Sequence, residues 1–183
     1  MSASTDFIHV HGRPFRRYLS RDEIAAAVQR LAQQIDRDHV GHNILLSPVL
    51  TGSYIFAADL SRALQTSHEL RFVQYNSYEG MASTGKVNAR LPFDEHCRGR
   101  HVVIVEDIVE SGLCMATMLE HLAHFEPASV SVCTLLFKPN LFKQQFKLDY
   151  VGFSIPNDFV VGYGLDYDGL ARQYPDLYVL SEA

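Results

Sequence analysis

Tryptophan is absent from the 183 residues, and cysteine is sparse, with only Cys97, Cys114 and Cys133. An odd, widely spaced set of thiols suits neither a disulfide framework nor a zinc site, so reduced cysteines are expected. No apolar run approaches the roughly 18 residues that a membrane-crossing helix requires. No charged-then-apolar leader is recognisable either, so neither export nor membrane spanning is expected, and the cytoplasm is the expected compartment. Positive charge is also short. Sixteen Lys and Arg face 21 Asp and Glu, leaving a net charge of −5 and an isoelectric point near 5.9. Nucleic-acid surfaces need clustered cations to displace counterions from phosphates, so no such surface is expected. Walker loops, Gly-x-Ser-x-Gly elbows and paired Cys-x-x-Cys motifs are missing as well, which removes the commonest nucleotide, hydrolase and redox signatures.

What is present reads as a globular fold. Hydrophobic residues make up 47% and charged residues 20%, a balance that excludes disorder. The length suits one domain, expected to span 1–183. Ser20 and Glu23 have the spacing of a capping box, and Ile24, Val28, Leu31 and Ile35 repeat on one helical face, predicting a helix over about 21–36. A short apolar strand from Ile44 to Leu50 closes on Thr51 and Gly52, and Phe56, Leu60 and Leu64 then mark a second helix. Residues 70–76 read as a strand, and the turn-rich stretch 77–92 as a mobile loop or long hairpin. Val102 to Val105 is an uninterrupted β-branched run, as in a strand buried on both faces. Met115, Leu119, Leu122 and Phe125 mark a third helix, with further strands at 129–137 and 149–154. This alternation predicts an α/β fold with a central, mainly parallel sheet.

The informative segment runs from Val102 through Glu106, Asp107, Ile108, Val109, Glu110, Ser111, Gly112 and Leu113 to Cys114. In open α/β sheets, ligands bind beyond the carboxyl ends of strands, where Glu106 and Asp107 would stand. Successive strand residues point oppositely, so these acids can serve different partners. Residues 110–114 would offer backbone N–H groups at a helix start, a natural phosphate site. Ser111 adds a hydroxyl, and Gly112 admits close approach. Acids beside an anion site are consistent if carboxylates accept from sugar hydroxyls and a hard cation balances the remaining charge. The plainer alternative is that Glu106, Asp107 and Glu110 merely cap a strand end.

This segment resembles the phosphoribosyl-pyrophosphate signature of type I phosphoribosyltransferases, and its surroundings resemble their hypoxanthine-guanine branch. Supporting stretches are Val49 to Ser53, Asn76 to Tyr78, Thr134 to Pro139 and Val151 to Tyr167, in an overall resemblance from about Leu19 to Val179. It implies the type I fold, with a small hood and a flexible closing loop. The activity implied is magnesium-dependent salvage, transferring the phosphoribosyl group from phosphoribosyl pyrophosphate to a 6-oxopurine base, by a homodimer or homotetramer. Glu106 and Asp107 would hold the ribose hydroxyls and their metal shell, while Glu110, Ser111, Gly112, Leu113 and Cys114 would hold the 5′-phosphate. Glu110 occupies the general-base position facing purine N7. Lys138 would donate to the 6-oxo group, Phe159 would stack on the base, and the Val160 backbone would pair with its edge. Asp166 would bind a second magnesium, Arg172 the pyrophosphate. Thr51 and Gly52 match the pyrophosphate loop, where the family carries a cis peptide after the residue equivalent to Leu50. Ser77 and Tyr78 begin the closing loop.

Three positions depart from the family pattern. Glu110 replaces an Asp, moving the carboxylate by about 1 Å, a displacement that can cost roughly 100-fold in rate. Cys114 replaces a Thr and is a poor donor, and Thr51 replaces a Lys and removes a charge. These leave room for a nucleotide-binding regulator with weakened catalysis, or for a xanthine-preferring transferase. Other signals carry less. Cys114 as a nucleophile lacks an identifiable base, His9-x-His11 and His121-x-x-His124 lack a third ligand, and Gly162-x-Gly164 is only part of a dinucleotide fingerprint.

Overall fold

The computed structural model describes residues 6–77 and 87–181. At its centre is a five-stranded sheet of β3 (Ile44–Pro48), β4 (His68–Leu70), β7 (His101–Val109), β8 (Ser129–Phe137) and β9 (Tyr150–Ser154), in the order β4-β3-β7-β8-β9. Every neighbouring pair is parallel. Helices α1 (Arg21–Asp38) and α2 (Tyr54–Ala63) cover one face, and α3 (Leu113–Ala123) covers the other. The period of two in the strands divides their side chains between these layers. Ile44, Leu46, Val103 and Val105 join the α1/α2 cluster, while Leu45, Val102 and Ile104 join the α3 cluster. This two-sided burial explains why the strands read as continuous apolar runs.

Helix α1 begins as its sequence predicts: the Ser20 amide donates to Glu23 Oε2 at 2.9 Å, and the Glu23 amide donates to Ser20 Oγ at 3.3 Å. Its face of Ile24, Ala27, Val28, Leu31, Ala32 and Ile35 is buried. Two boundaries differ from expectation. The stretch 70–76 is not one strand, because β4 ends at Leu70 and β5 (Gln74–Ser77) starts after an interruption. There Val73 forms an isolated parallel bridge with Val49. The first strand likewise stops at Pro48, because the chain beyond it turns from β7 towards Val73: the Leu50 amide donates to the Val73 carbonyl at 2.8 Å.

Strand β5 pairs antiparallel with β6 (Val87–Leu91), so the turn-rich stretch is a hairpin as far as it is described. Its middle, including Tyr78, lies outside the described residues. A separate antiparallel sheet of β1 (Phe7–Val10), β2 (Arg13–Leu19), β10 (Val160–Val161) and β11 (Leu177–Leu180) forms the hood, in the order β1-β2-β11-β10.

At the end of the sheet where β7 begins, His39, His42 and His101 meet, with ring centroids 6.0 Å (His39–His101) and 4.2 Å (His42–His101) apart. Burial, reinforced by His101 and His42 against the opposing Asp38, holds the His39 imidazole below its ordinary pKa. The native state therefore binds fewer protons there than the unfolded chain does. Stability from this group is complete above about pH 6.5 and declines as pH falls through that value towards the lower folded one. Melting temperatures measured between pH 8 and 5.5 are expected to decline less steeply in a His39→Phe variant than in the wild type, and equal slopes would remove His39 from this account.

Candidate active site

Strand β7 keeps its β3 partner only as far as Val105, opposite Pro48, but stays paired with β8 until Val109, opposite Phe137. Glu106, Asp107 and Ile108 therefore project past the end of β3 into a gap between the loop after β3 and the loop before α3. The two acids diverge as strand geometry requires. Glu106 lines a cleft of about 220 Å³ together with Ile108, Val109 and residues 110–115. Asp107 faces the other way, against Gly52, where any Cβ would overlap its Oδ2. Burial and the adjacent Asp107 push the Glu106 carboxyl well above its ordinary pKa. Burial also raises Asp107, against the hydrogen bond from the Ile108 amide and the charge of Arg172. Both shifts disfavour the charged forms, and a cation or sugar hydroxyls would compensate such a pair.

The loop at 110–114 is held from behind. Gly112 caps α3 at φ +77°, a left-handed conformation that glycine adopts without strain. A Cβ there would also stand 2.6 Å from the Phe142 ring. The Lys143 amide donates to the Ser111 carbonyl at 3.3 Å, and the Leu113 amide donates to Ser111 Oγ at 3.4 Å. Phe142 and Lys143 are supporting residues that motif reading missed, since nothing in their sequence marks them. Burial, with the charge of Glu106, pushes the Cys114 thiol up to about 12. It is a protonated thiol, not a nucleophile.

Lys138 follows β8 and is only 4% exposed. Its ammonium forms an ion pair with Glu110, the partner that so buried a charge needs. Asp166 accepts from Arg172 Nη2 at 2.8 Å and from the Gly169 amide at 2.7 Å. Arg172 Nη1 also donates to the Gly164 carbonyl at 2.6 Å. Gly164, at φ +102°, packs so tightly on Gly52 that a Cβ would overlap the Gly52 carbonyl. Contact therefore runs continuously from Asp166 through Arg172 and Gly164 to Gly52 and Asp107. Gly162-x-Gly164 was the available signal for this close approach, which the partial dinucleotide fingerprint disguised. The Leu50–Thr51 peptide is cis, and Thr51 is exposed.

Phe159 stands apart from that chain of contacts. It is 43% exposed, edge-on to Tyr167 with ring centroids 5.4 Å apart. Val160 is buried in β10 opposite Val179. Ser77 ends β5. Among the described residues, no cluster of three or more His, Cys, Asp or Glu is arranged to hold a metal by itself. His11 packs edge-on to Tyr167 at 5.0 Å, and His121 hydrogen-bonds Tyr75.

The model of the phosphoribosyl transferase domain family matches residues 16–168. The chain belongs to this family. A hypoxanthine-guanine phosphoribosyltransferase of Streptococcus pneumoniae is 39% identical over 165 residues, covering 90% of this chain and 92% of that protein. A hypoxanthine phosphoribosyltransferase of Escherichia coli is 42% identical over 156 residues, covering 84% and 88%. The crystal structure of a hypoxanthine-guanine phosphoribosyltransferase from Bacillus anthracis superposes with a TM-score of 0.86 at 36% identity, covering 90% of this chain and 98% of that one. The mainly parallel sheet flanked by helices is thus the type I phosphoribosyltransferase fold expected from the sequence.

The contact between Gly52 and Asp107 can be tested within this phosphoribosyltransferase. Gly52→Ala is expected to displace the Asp107 carboxylate and lower phosphoribosyl transfer at least about tenfold, since misplacement of about 1 Å can cost roughly 100-fold. Full activity in that variant, measured as kcat/KM, would mean that the Asp107 position is unimportant.

Proposed function

We propose that the protein is a 6-oxopurine phosphoribosyltransferase of purine salvage, acting as a single domain over residues 1–183. It transfers the 5-phosphoribosyl group of phosphoribosyl pyrophosphate to hypoxanthine or guanine, giving IMP or GMP and pyrophosphate. One observation carries this reading: the strand-end acid Glu106 and the helix-start loop 110–115 line one cleft. The names of the similar proteins, hypoxanthine and hypoxanthine-guanine phosphoribosyltransferases, agree with it.

In this reading, Glu106 and Asp107 accept from the ribose 2′ and 3′ hydroxyls, and the amides of 110–114 hold the 5′-phosphate. Thr51 and Gly52 border the pyrophosphate, Phe159 stacks on the base, and the Val160 backbone meets its edge. Ser77 and Tyr78 belong to the segment that excludes water. The two ion pairs of the free site have separate destinations for their halves. Lys138 leaves Glu110 to donate to the 6-oxo group, and Glu110 then accepts the N7 proton. Adenine, with a donor at that place, is disfavoured. Arg172 leaves Asp166 to contact pyrophosphate, freeing the Asp166 carboxylate for a hard cation.

Magnesium suits this donor set. It takes oxygen ligands and commonly binds through one or two carboxylates plus substrate phosphates, so no three-residue protein cluster is needed. Glu106 and Asp107 would hold one ion beside the ribose and Asp166 a second, and when bound magnesium supplies neutralisation of the departing pyrophosphate. The bond from C1′ to the pyrophosphate oxygen breaks with its electron pair, the acids beside the ribose favour the positive charge developing at C1′, and the purine nitrogen attacks from the opposite face. Positioning and electrostatics dominate. Among the described residues, no helix is long and apolar enough to cross a membrane. We infer a cytoplasmic homodimer or homotetramer.

Purified protein with magnesium, phosphoribosyl pyrophosphate and each of hypoxanthine, guanine, xanthine, adenine and uracil is expected to form nucleotide only with the 6-oxopurines. No turnover with any base, despite nucleotide binding, would favour a regulator, and turnover confined to xanthine would shift the specificity. Glu110→Asp is expected to keep or raise kcat with hypoxanthine. Collapse of activity in that variant would show that the longer acid is itself required.

A further inference from the structure

Helix α3 carries the phosphate loop at its start, and one residue of the hairpin touches it near both ends. Tyr75, on β5, is 5% exposed. Its carbonyl accepts from the Cys114 thiol in the first turn of α3, at 3.9 Å. Its hydroxyl meets His121 Nδ1 in the last turn at 2.5 Å. Those two positions are seven residues apart, about 10 Å along the helix. The Phe93 amide donates to the same Tyr75 hydroxyl at 3.2 Å. That bond occupies one lone pair of the hydroxyl and leaves its proton available to His121 Nδ1.

Cys114 stands where a phosphate donor was expected. Its thiol is turned instead to the strand carbonyl, which leaves phosphate binding to the main chain and gives the helix a tie to the hairpin. His121, set aside as half of an incomplete metal motif, supplies the second tie.

We propose that Tyr75 and His121 are positioning residues that fasten α3, and with it the phosphate loop, to the stem of the β5–β6 hairpin. Neither touches the cleft, so the pair acts through the placement of the 110–114 amides. The inference rests on the reading of those residues as the phosphate-binding loop.

KM for phosphoribosyl pyrophosphate and kcat, at saturating hypoxanthine, are compared in wild type, Tyr75→Phe, His121→Leu, the double variant and His121→Asn, whose Oδ1 can accept where Nδ1 does. The expected result is a rise in KM of about three- to tenfold in each of the first two, the effect of losing the Tyr75–His121 bond, to which Tyr75→Phe adds loss of the bond from the Phe93 amide. kcat should stay within about twofold, the double variant should be no worse than the poorer single, and His121→Asn should resemble wild type, as a shared interaction requires. Unchanged KM in both singles, multiplied effects in the double, or a fall in kcat alone would overturn the proposal. A wild type that turns over no base would refute the salvage reading instead. The loop is then read by thermal protection with inorganic phosphate, which should weaken in Tyr75→Phe and His121→Leu; equal protection in all variants overturns the positioning role.

Discussion

Parallel pairing of β7 with β3 ends at Val105, while its pairing with β8 continues to Val109. That asymmetry makes the site. Had β3 continued alongside, its backbone would have saturated the edge of β7, and no gap would separate the two loops. The chain leaves β3 by turning to Val73, with Val49 and Leu50 bonded to opposite neighbours: the Val49 amide donates to Val105, the Leu50 amide to Val73. The split brings Gly52 against Asp107 on one side and leaves Glu106 facing the α3 loop on the other.

Four acids gathered around such a gap would repel one another without compensation. The free protein answers with two local cations, Lys138 on Glu110 and Arg172 on Asp166, and with burial that raises the Glu106 and Asp107 carboxyls above their ordinary pKa. A buried ion pair is weak evidence for stability, because desolvation offsets its attraction. Here each pair fastens a segment beside the gap, Lys138 after β8 to Glu110 after β7, and Arg172 to Asp166. The departures from the family pattern fit the same economy of contacts. Glu110 is long enough to reach Lys138, and the Cys114 thiol bonds the Tyr75 carbonyl.

Glycines set the distances that side chains could not. Gly52 touches Asp107, Gly164 touches Gly52, and Gly112 backs onto Phe142. A single Cβ in any of these places would separate elements that must meet.

The sequence by itself determined the layers and the chemistry-bearing segment. Apolar periodicity of two and of 3.6 depends on neighbours along the chain, so helix α1, strands β7 to β9 and the acid-rich turn before α3 were all legible, along with the identity of the acids and of Lys138. The pairing of β2 with β11 was not legible, because it joins residues from opposite ends of the chain. The break between β4 and β5 was equally hidden, since it depends on Val73 bonding Pro48 and Leu50 across the chain after β3. Only the tertiary structure decided that Asp107 meets Gly52, that Lys138 meets Glu110, that Gly164 lies on Gly52, and that Tyr75 spans α3. Each of these is a contact between residues distant in sequence, fixed by the packing of whole elements, and no local pattern of residues encodes it.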